Sequence, residues 1–176
     1  MKIDIKIYKI IKDSGINFIA SVPCLLLKEI LKIIDDKNEI IYLPVTREEE
    51  GVGIAAGAYL GGKKPAILIQ NSGLGNSINA ITSLLQYYDI PVIFFVSHRG
   101  EEEEPISAYK PMGKITEILL DDISIKFWNI SSSKDISKIK TAINFSNENK
   151  TSVAVLLKRS LWSESDEKIR CFKKNY

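Results

Sequence analysis

The chain reads as a three-layer α/β fold, a mostly parallel six-stranded sheet with helices on both faces. Two observations predict it. Short apolar runs of strand length alternate with stretches of helical periodicity along the 176 residues. The three segments least like a core, Thr46 to Gly51, Asn71 to Asn76 and Ser97 to Gly100, each follow a predicted strand. Parallel sheets gather ligands at the carboxyl ends of their strands, so these three segments are expected to share one site.

Each element has its own sequence reason. Ile3 to Lys12 is an amphipathic helix, and Asn17 to Val22 is an apolar strand ended by Pro23. Leu25 to Asp35 repeats leucine and isoleucine at helical spacing, and Glu39 to Val45 is the second strand. A helix from Arg47 to Leu60 stops at Gly61-Gly62. Ala66 to Gln70 is the third strand, followed by a loop, Asn71 to Asn76, a helix from Ser77 to Tyr87 and the strand Val92 to Ser97. His98 to Met112 lacks periodicity and reads as a loop over an edge or site, with the run Glu101 to Glu104 solvated. Gly113 to Leu120 and Ser133 to Ser146 are helices, and Lys126 to Ile130 and Ser152 to Leu157 are strands. One domain is expected over residues 1–160, with residues 161–176 as a polar tail.

Bulk composition excludes several classes. Hydrophobic content of 45% and charged content of 26% are those of a soluble globular protein. A net charge of +2, from 24 basic and 22 acidic residues, gives no field suited to nucleic acid or membrane. The two cysteines, Cys24 and Cys171, form neither a disulfide framework nor a metal-site spacing. The first residues do not form a signal peptide, and the longest apolar run, Ile90 to Val96, is far short of a membrane span. Cytoplasmic placement is the expectation.

The most informative run is Thr46-Arg47-Glu48-Glu49-Glu50-Gly51, which opens a helix continuing Val-Gly-Ile-Ala-Ala-Gly-Ala-Tyr. Acids suit a helix start, but glycines in the following turns cost roughly 1 kcal/mol each. Such a stripe is expected where another backbone or a large ligand comes close. Helical spacing stacks Glu49 above Gly53, Ala56 and Gly57, so Glu49 heads a smooth face against a partner. The bland alternative is a capping box, Thr46-x-x-Glu49, in which the glutamate serves only the backbone. Gly51-Val52-Gly53-Ile54-Ala55-Ala56 formally fits a dinucleotide fingerprint, yet three glutamates precede it where a pyrophosphate would be repelled. Gly73-Leu74-Gly75 has no Gly-Lys-Ser/Thr after it and is no P-loop. Asn71, Asn76 and Ser77 could equally be turn and cap residues.

With these segments located, the chain resembles the pyrimidine-binding (PYR) domain of thiamine-diphosphate enzymes. It looks most like the decarboxylases of 3-substituted pyruvates, those acting on sulfopyruvate first and on phosphonopyruvate next. The markers are Val22-Pro23, Thr46-Arg47-Glu48-Glu49-Glu50-Gly51, Gln70-Asn71-Ser72-Gly73-Leu74-Gly75-Asn76, Ser97-His98-Arg99-Gly100 and Gly113-Lys114-Ile115-Thr116. The resemblance implies that one glutamate hydrogen-bonds N1′ of the cofactor's aminopyrimidine. Its place ten residues before a tyrosine lands on Glu49 counted from Tyr59, with Glu48 as the neighbouring possibility. It further implies a thiazolium that accepts the electrons released with CO₂. The implied reaction is 3-sulfopyruvate to sulfoacetaldehyde and CO₂, within coenzyme M biosynthesis.

The resemblance also names what is missing. Diphosphate and Mg²⁺ are held in such enzymes by a domain carrying Gly-Asp-Gly, a string this chain lacks. A beta subunit with that domain is therefore implied, with Mg²⁺ on the partner, no metal ligand here, and a hetero-oligomer as the working form. Asn71, Ser72 and Gly73 are candidates for the cofactor alongside Glu49. Arg47, His98, Arg99 and Lys114, with Asn76, are candidates for the anionic groups of a 2-oxo acid, since carboxylate and sulfonate call for charge-assisted bonds. Phosphonopyruvate decarboxylases carry Gln-His near the place of Ile106-Ser107, a departure favouring the sulfonate. The rival from another class is a non-catalytic α/β protein binding a nucleotide or a protein partner.

Overall fold

The computed structural model describes residues 2–101 and 104–163. Six parallel strands form one sheet in the order β2-β1-β3-β4-β6-β5. They are β1 (Phe18–Ser21), β2 (Ile41–Pro44), β3 (Pro65–Gln70), β4 (Ile93–His98), β5 (Lys126–Ile130) and β6 (Val153–Lys158). β3, β4 and β6 are buried throughout apart from Gln70, as strands covered on both faces must be. β2 lies at an edge, and its Ile41 and Leu43 are exposed.

Alternate residues along the strands feed two cores. Ile19, Leu68, Phe95 and Val155 pack with α1 (Ile3–Asp13), α2 (Lys28–Lys37) and α7 (Ser137–Asn149). Ala20, Ile67, Phe94 and Leu156 face the other way, toward α3 (Glu48–Leu60) and α6 (Lys110–Asp122). β1 feeds α2 on the first face, whereas β3 feeds the second. Chain direction therefore splits between neighbouring β1 and β3, and it is at the carboxyl ends of such a pair that parallel sheets take ligands.

Four sequence expectations need correction. Asn71 to Asn76 is a helical turn, α4 (Asn71–Asn76), not a loop. Its glycines make room for neighbours and do not break the chain: a Cβ on Gly73 would lie 2.5 Å from Glu48 Oε1, and one on Gly75 3.3 Å from Met112 Cε. The single helix expected from Ser77 divides into α5 (Ile78–Ala80) and a π-helical stretch, Ile81–Gln86. α6 begins at Lys110 instead of Gly113, because Pro111 in its first turn lacks an N–H that would have had no partner there. The packed core reaches past residue 160. Leu161 and Trp162, on α8 (Ser160–Ser163), are buried in the first core, and Trp162 Nε1 donates to Asp4 Oδ1 at 2.9 Å. Residues 164–176 of the expected tail lie outside the described residues.

Among the described residues no helix is long and apolar enough to cross a membrane.

Candidate functional site

The three adjacent glutamates at the start of α3 diverge by about 100° each and meet three different environments. Glu50 is exposed and accepts from Thr46 Oγ1 at 3.2 Å. Glu48 turns onto α4: it lies over Gly73, and its Oε2 accepts from Asn76 Nδ2 at 3.1 Å. Glu49 lies between them. Its Oε1 accepts from Arg47 Nε and Nη2, both at 2.6 Å, while its Oε2 is buried and lacks a hydrogen-bond partner among the described residues. The capping box does not form, since no side chain caps α3 and Thr46 bonds to Glu50 instead. The backbone N–H of Glu49 itself holds the carboxyl below the usual carboxylate range; burial opposes this and the Arg47 guanidinium reinforces it.

Below Glu49 the helix divides differently from the expected stripe. Gly53 and Gly57 are exposed, and a Cβ on either would meet nothing within 4 Å. Ala56 instead joins Val52 and Ala55 in the second core, because the inward arc of α3 is wider than a single line of residues. The open part of the stripe is thus Glu49, Gly53 and Gly57.

The segment after β3 is a bracket. Asn71 is buried, its Nδ2 donating to Arg99 O and to Thr116 Oγ1, both at 2.9 Å, while its Oδ1 accepts from Arg99 N at 3.2 Å. That amide ties β3, β4 and α6 together and has no free group to turn toward a ligand. Ser72 is exposed and accepts from Gln70 Nε2 at 3.0 Å. Gly73 is buried beneath Glu48.

The segment after β4 is closed. His98 and Arg99 were expected to meet substrate, but both are buried and paired. His98 Nε2 donates to Gly113 O at 3.1 Å, and its Nδ1 accepts from Lys158 Nζ at 2.6 Å, so the ring is the neutral Nε2–H tautomer. Burial pushes its pKa down and the Lys158 cation adds to that, against the Gly113 carbonyl, Glu101 and Glu117. The cause lies in the sheet, where β6 pairs His98 in register with Lys158. Lys158 also reaches Glu117 at 2.7 Å and Glu101 at 3.2 Å. Arg99 grips Glu104 with both arms, Nε to Oε2 at 2.7 Å and Nη2 to Oε1 at 2.6 Å, and stacks 4.6 Å above the Tyr109 ring. Glu104, expected in a solvated run, is buried; desolvation pushes its carboxyl up, but Arg99 and the N–H groups of Ile106 and Gly100 hold it below the usual range. Gly100 and Gly113 touch backbone to backbone, a Cβ on Gly113 falling 2.5 Å from Gly100 O.

Arg47 and Lys114 remain as exposed candidate cations. Lys158 and Glu117 escaped the sequence reading. Of these only Lys158 left a trace, a lone cation ending the apolar run Val153 to Leu157.

A buried carboxylate oxygen without a hydrogen-bond partner among the described residues, beside an uncrowded helix face, can accept from a donor outside the chain. Residues 1–124 match the family of thiamine pyrophosphate enzymes, N-terminal TPP binding domain. The chain belongs to that family. Among its relatives is "Sulfopyruvate decarboxylase subunit alpha" of Methanococcus maripaludis, 48% identical over 89% of this chain and 94% of that protein. "Sulfopyruvate decarboxylase" of Methanosarcina acetivorans is 35% identical over 92% of this chain but only 41% of its own length. "Phosphonopyruvate decarboxylase" of Streptomyces viridochromogenes is 41% identical over 61% of this chain and 27% of that protein. Among solved structures, 2-oxoglutarate:ferredoxin oxidoreductase from Magnetococcus marinus superposes with a TM-score of 0.69 at 15% identity, over 91% of this chain and 29% of that one, a likeness of fold.

Proposed function

We propose that the chain is the alpha subunit of a cytoplasmic, thiamine-diphosphate-dependent decarboxylase that converts 3-sulfopyruvate to sulfoacetaldehyde and CO₂, a step toward coenzyme M. The carrying observation is the partnerless buried Oε2 of Glu49. A carboxylate in this position can accept a hydrogen bond from a protonated ring nitrogen or share a proton with it, which is the role an aminopyrimidine N1′ requires of its protein partner. When bound, thiamine diphosphate supplies the electron sink for loss of CO₂. This chain's residues hold and orient the pyrimidine end: Glu49 at N1′, with Ser72 and the backbone around Gly73 on the neighbouring α4. Asn71 acts indirectly, by fixing where α4 begins.

Diphosphate and Mg²⁺ fall to a beta subunit carrying the Gly-Asp-Gly domain absent from this sequence. Two findings support a partner. The relative from M. maripaludis is itself named as a subunit, and the longer relative from M. acetivorans has well over half its length beyond the part this chain matches. The open Gly53 and Gly57 face is where the partner closes the site. For the anionic ends of the 2-oxo acid, Arg47 and Lys114 stay as donors, with Asn76 as a neutral one. His98 and Arg99 are withdrawn from that role by their buried pairs.

The test is to combine this chain with a Gly-Asp-Gly subunit, thiamine diphosphate and Mg²⁺, and to measure CO₂ from 3-sulfopyruvate and 3-phosphonopyruvate separately. The expected result is release only with both chains present, faster from the sulfonate. Faster release from the phosphonate overturns the substrate assignment, and no release from either acid overturns the enzymatic reading.

A further inference from the structure

The N-cap residue of α3 gives its first turn no side-chain hydrogen bond, yet that turn must hold Glu49 still. The N-cap position is Arg47, which makes no side-chain hydrogen bond to the helix backbone. An uncapped start leaves N–H groups without partners and frays readily. The first turn is instead fastened sideways. Glu48 lies across α4, its Oε2 accepting from Asn76 Nδ2 at 3.1 Å. Its side chain fills the space where a Cβ on residue 73 would stand, 2.5 Å from Oε1 and 2.6 Å from Cδ. Gly73 has a helical backbone, so its lack of a side chain answers to Glu48 and not to a turn.

From this we infer that Glu48 is a positioning residue: seated on Gly73 and tied to Asn76, it fixes the first turn of α3 and with it the direction of Glu49 Oε2. The inference rests on the assignment of Glu49 to the cofactor pyrimidine. It gives the missing side chain of Gly73 a task of its own, beside the part proposed for its backbone. Neighbouring carboxylates then divide the work, the first holding the frame and the second meeting the ring.

The experiment uses the assembled complex with its beta subunit and Mg²⁺. Thiamine diphosphate binding is measured by calorimetry, kcat and the cofactor KM by CO₂ release, and assembly by sedimentation. Glu48→Ala and Asn76→Ala are each expected to weaken cofactor binding about tenfold, as loss of one hydrogen bond to a charged group allows, with kcat lowered and assembly unchanged. Gly73→Ala is expected to do the same by displacing Glu48. The double variant Gly73→Ala/Glu48→Ala should be no worse than Glu48→Ala alone, because the displaced group is gone. Losses that multiply in the double variant overturn the inference, as does unchanged cofactor binding in Glu48→Ala and Asn76→Ala. Should a Gly73 variant fail to assemble, the exposed Asn76→Ala removes the same bond and decides alone. Glu49→Gln is run in parallel. If it binds cofactor and turns over normally, the pyrimidine assignment itself falls. If it is inactive while the Glu48 and Asn76 variants are normal, only the positioning role falls.

Discussion

The two halves of the sheet's carboxyl edge carry similar charge and use it in opposite ways. On the side of β2, β1 and β3, Glu49 keeps a buried oxygen without a hydrogen-bond partner among the described residues, Arg47 is 75% exposed, and Gly53 and Gly57 leave the outer face of α3 bare. Above β4 and β6, His98, Arg99, Glu104 and Lys158 are all buried, each with a partner inside the chain. The second half is the better paired of the two, although Arg159 Nη1 is buried there without a hydrogen bond, 3.6 Å from Glu104 Oε1. Charge at a strand end is therefore a poor guide to ligand contact until its partners are known, and the open half is where the proposed chemistry would sit.

The largest effect should come from the open half. Glu49→Gln keeps the shape and removes the carboxylate, so turnover of the assembled complex should fall at least ~100-fold, with assembly by sedimentation intact. Next comes the closed half. Arg99→Ala leaves the buried Glu104 carboxylate with Arg159, at 3.6 Å, and the N–H groups of Gly100 and Ile106, and thermal or denaturant unfolding should show a loss of about 3 kcal/mol. If Arg99→Ala instead left stability untouched and abolished turnover, the two halves would have to exchange roles.

A smaller effect is expected from pH. His98 is neutral in the folded chain with its pKa lowered, while the unfolded chain takes up that proton near the ordinary value, about 6.5. The unfolded state thus binds more protons below that point, so this contribution is complete above about pH 6.5 and is lost as pH falls toward the lowered folded value. The melting midpoint, followed by circular dichroism, should drop over that interval, with a flatter slope in His98→Gln. The smallest effect sharpens the comparison most. Gly53→Ala and Gly57→Ala add a methyl where this chain has open space, so the isolated chain should gain up to ~1 kcal/mol each. Binding to the beta subunit, measured by calorimetry, should weaken in both.

The alternation of apolar runs made the six strands readable, because a strand buried on both faces needs an unbroken hydrophobic sequence, as in Val153 to Leu157. The residues alone left Glu49 between a cap and a functional role, and the count of ten back from Tyr59 that the resemblance implies singled it out. The segment Asn71 to Asn76 was not, because glycine serves equally for a turn and for close contact, and only the position of Glu48 shows which applies. Nor could the run Glu101 to Glu104 reveal which glutamate goes inside. That choice is made by Arg99, brought to it by the path of the chain beyond β4. Thr46 and Glu49 had the spacing of a capping box, but a bond of Glu49 to Arg47 took its place.

The hydrogen bond from Trp162 to Asp4 has a photophysical consequence. It places one of the chain's two indoles in a dry setting, 3% exposed, on a carboxylate more than 150 residues away, whereas Trp128 is only half-buried beside Phe145. Emission from that first indole therefore reports whether the beginning and end of the domain are joined, from the face opposite α3. With Trp128→Phe in place, fluorescence would follow folding without added dye and without touching the face where the cofactor and the partner are proposed to sit.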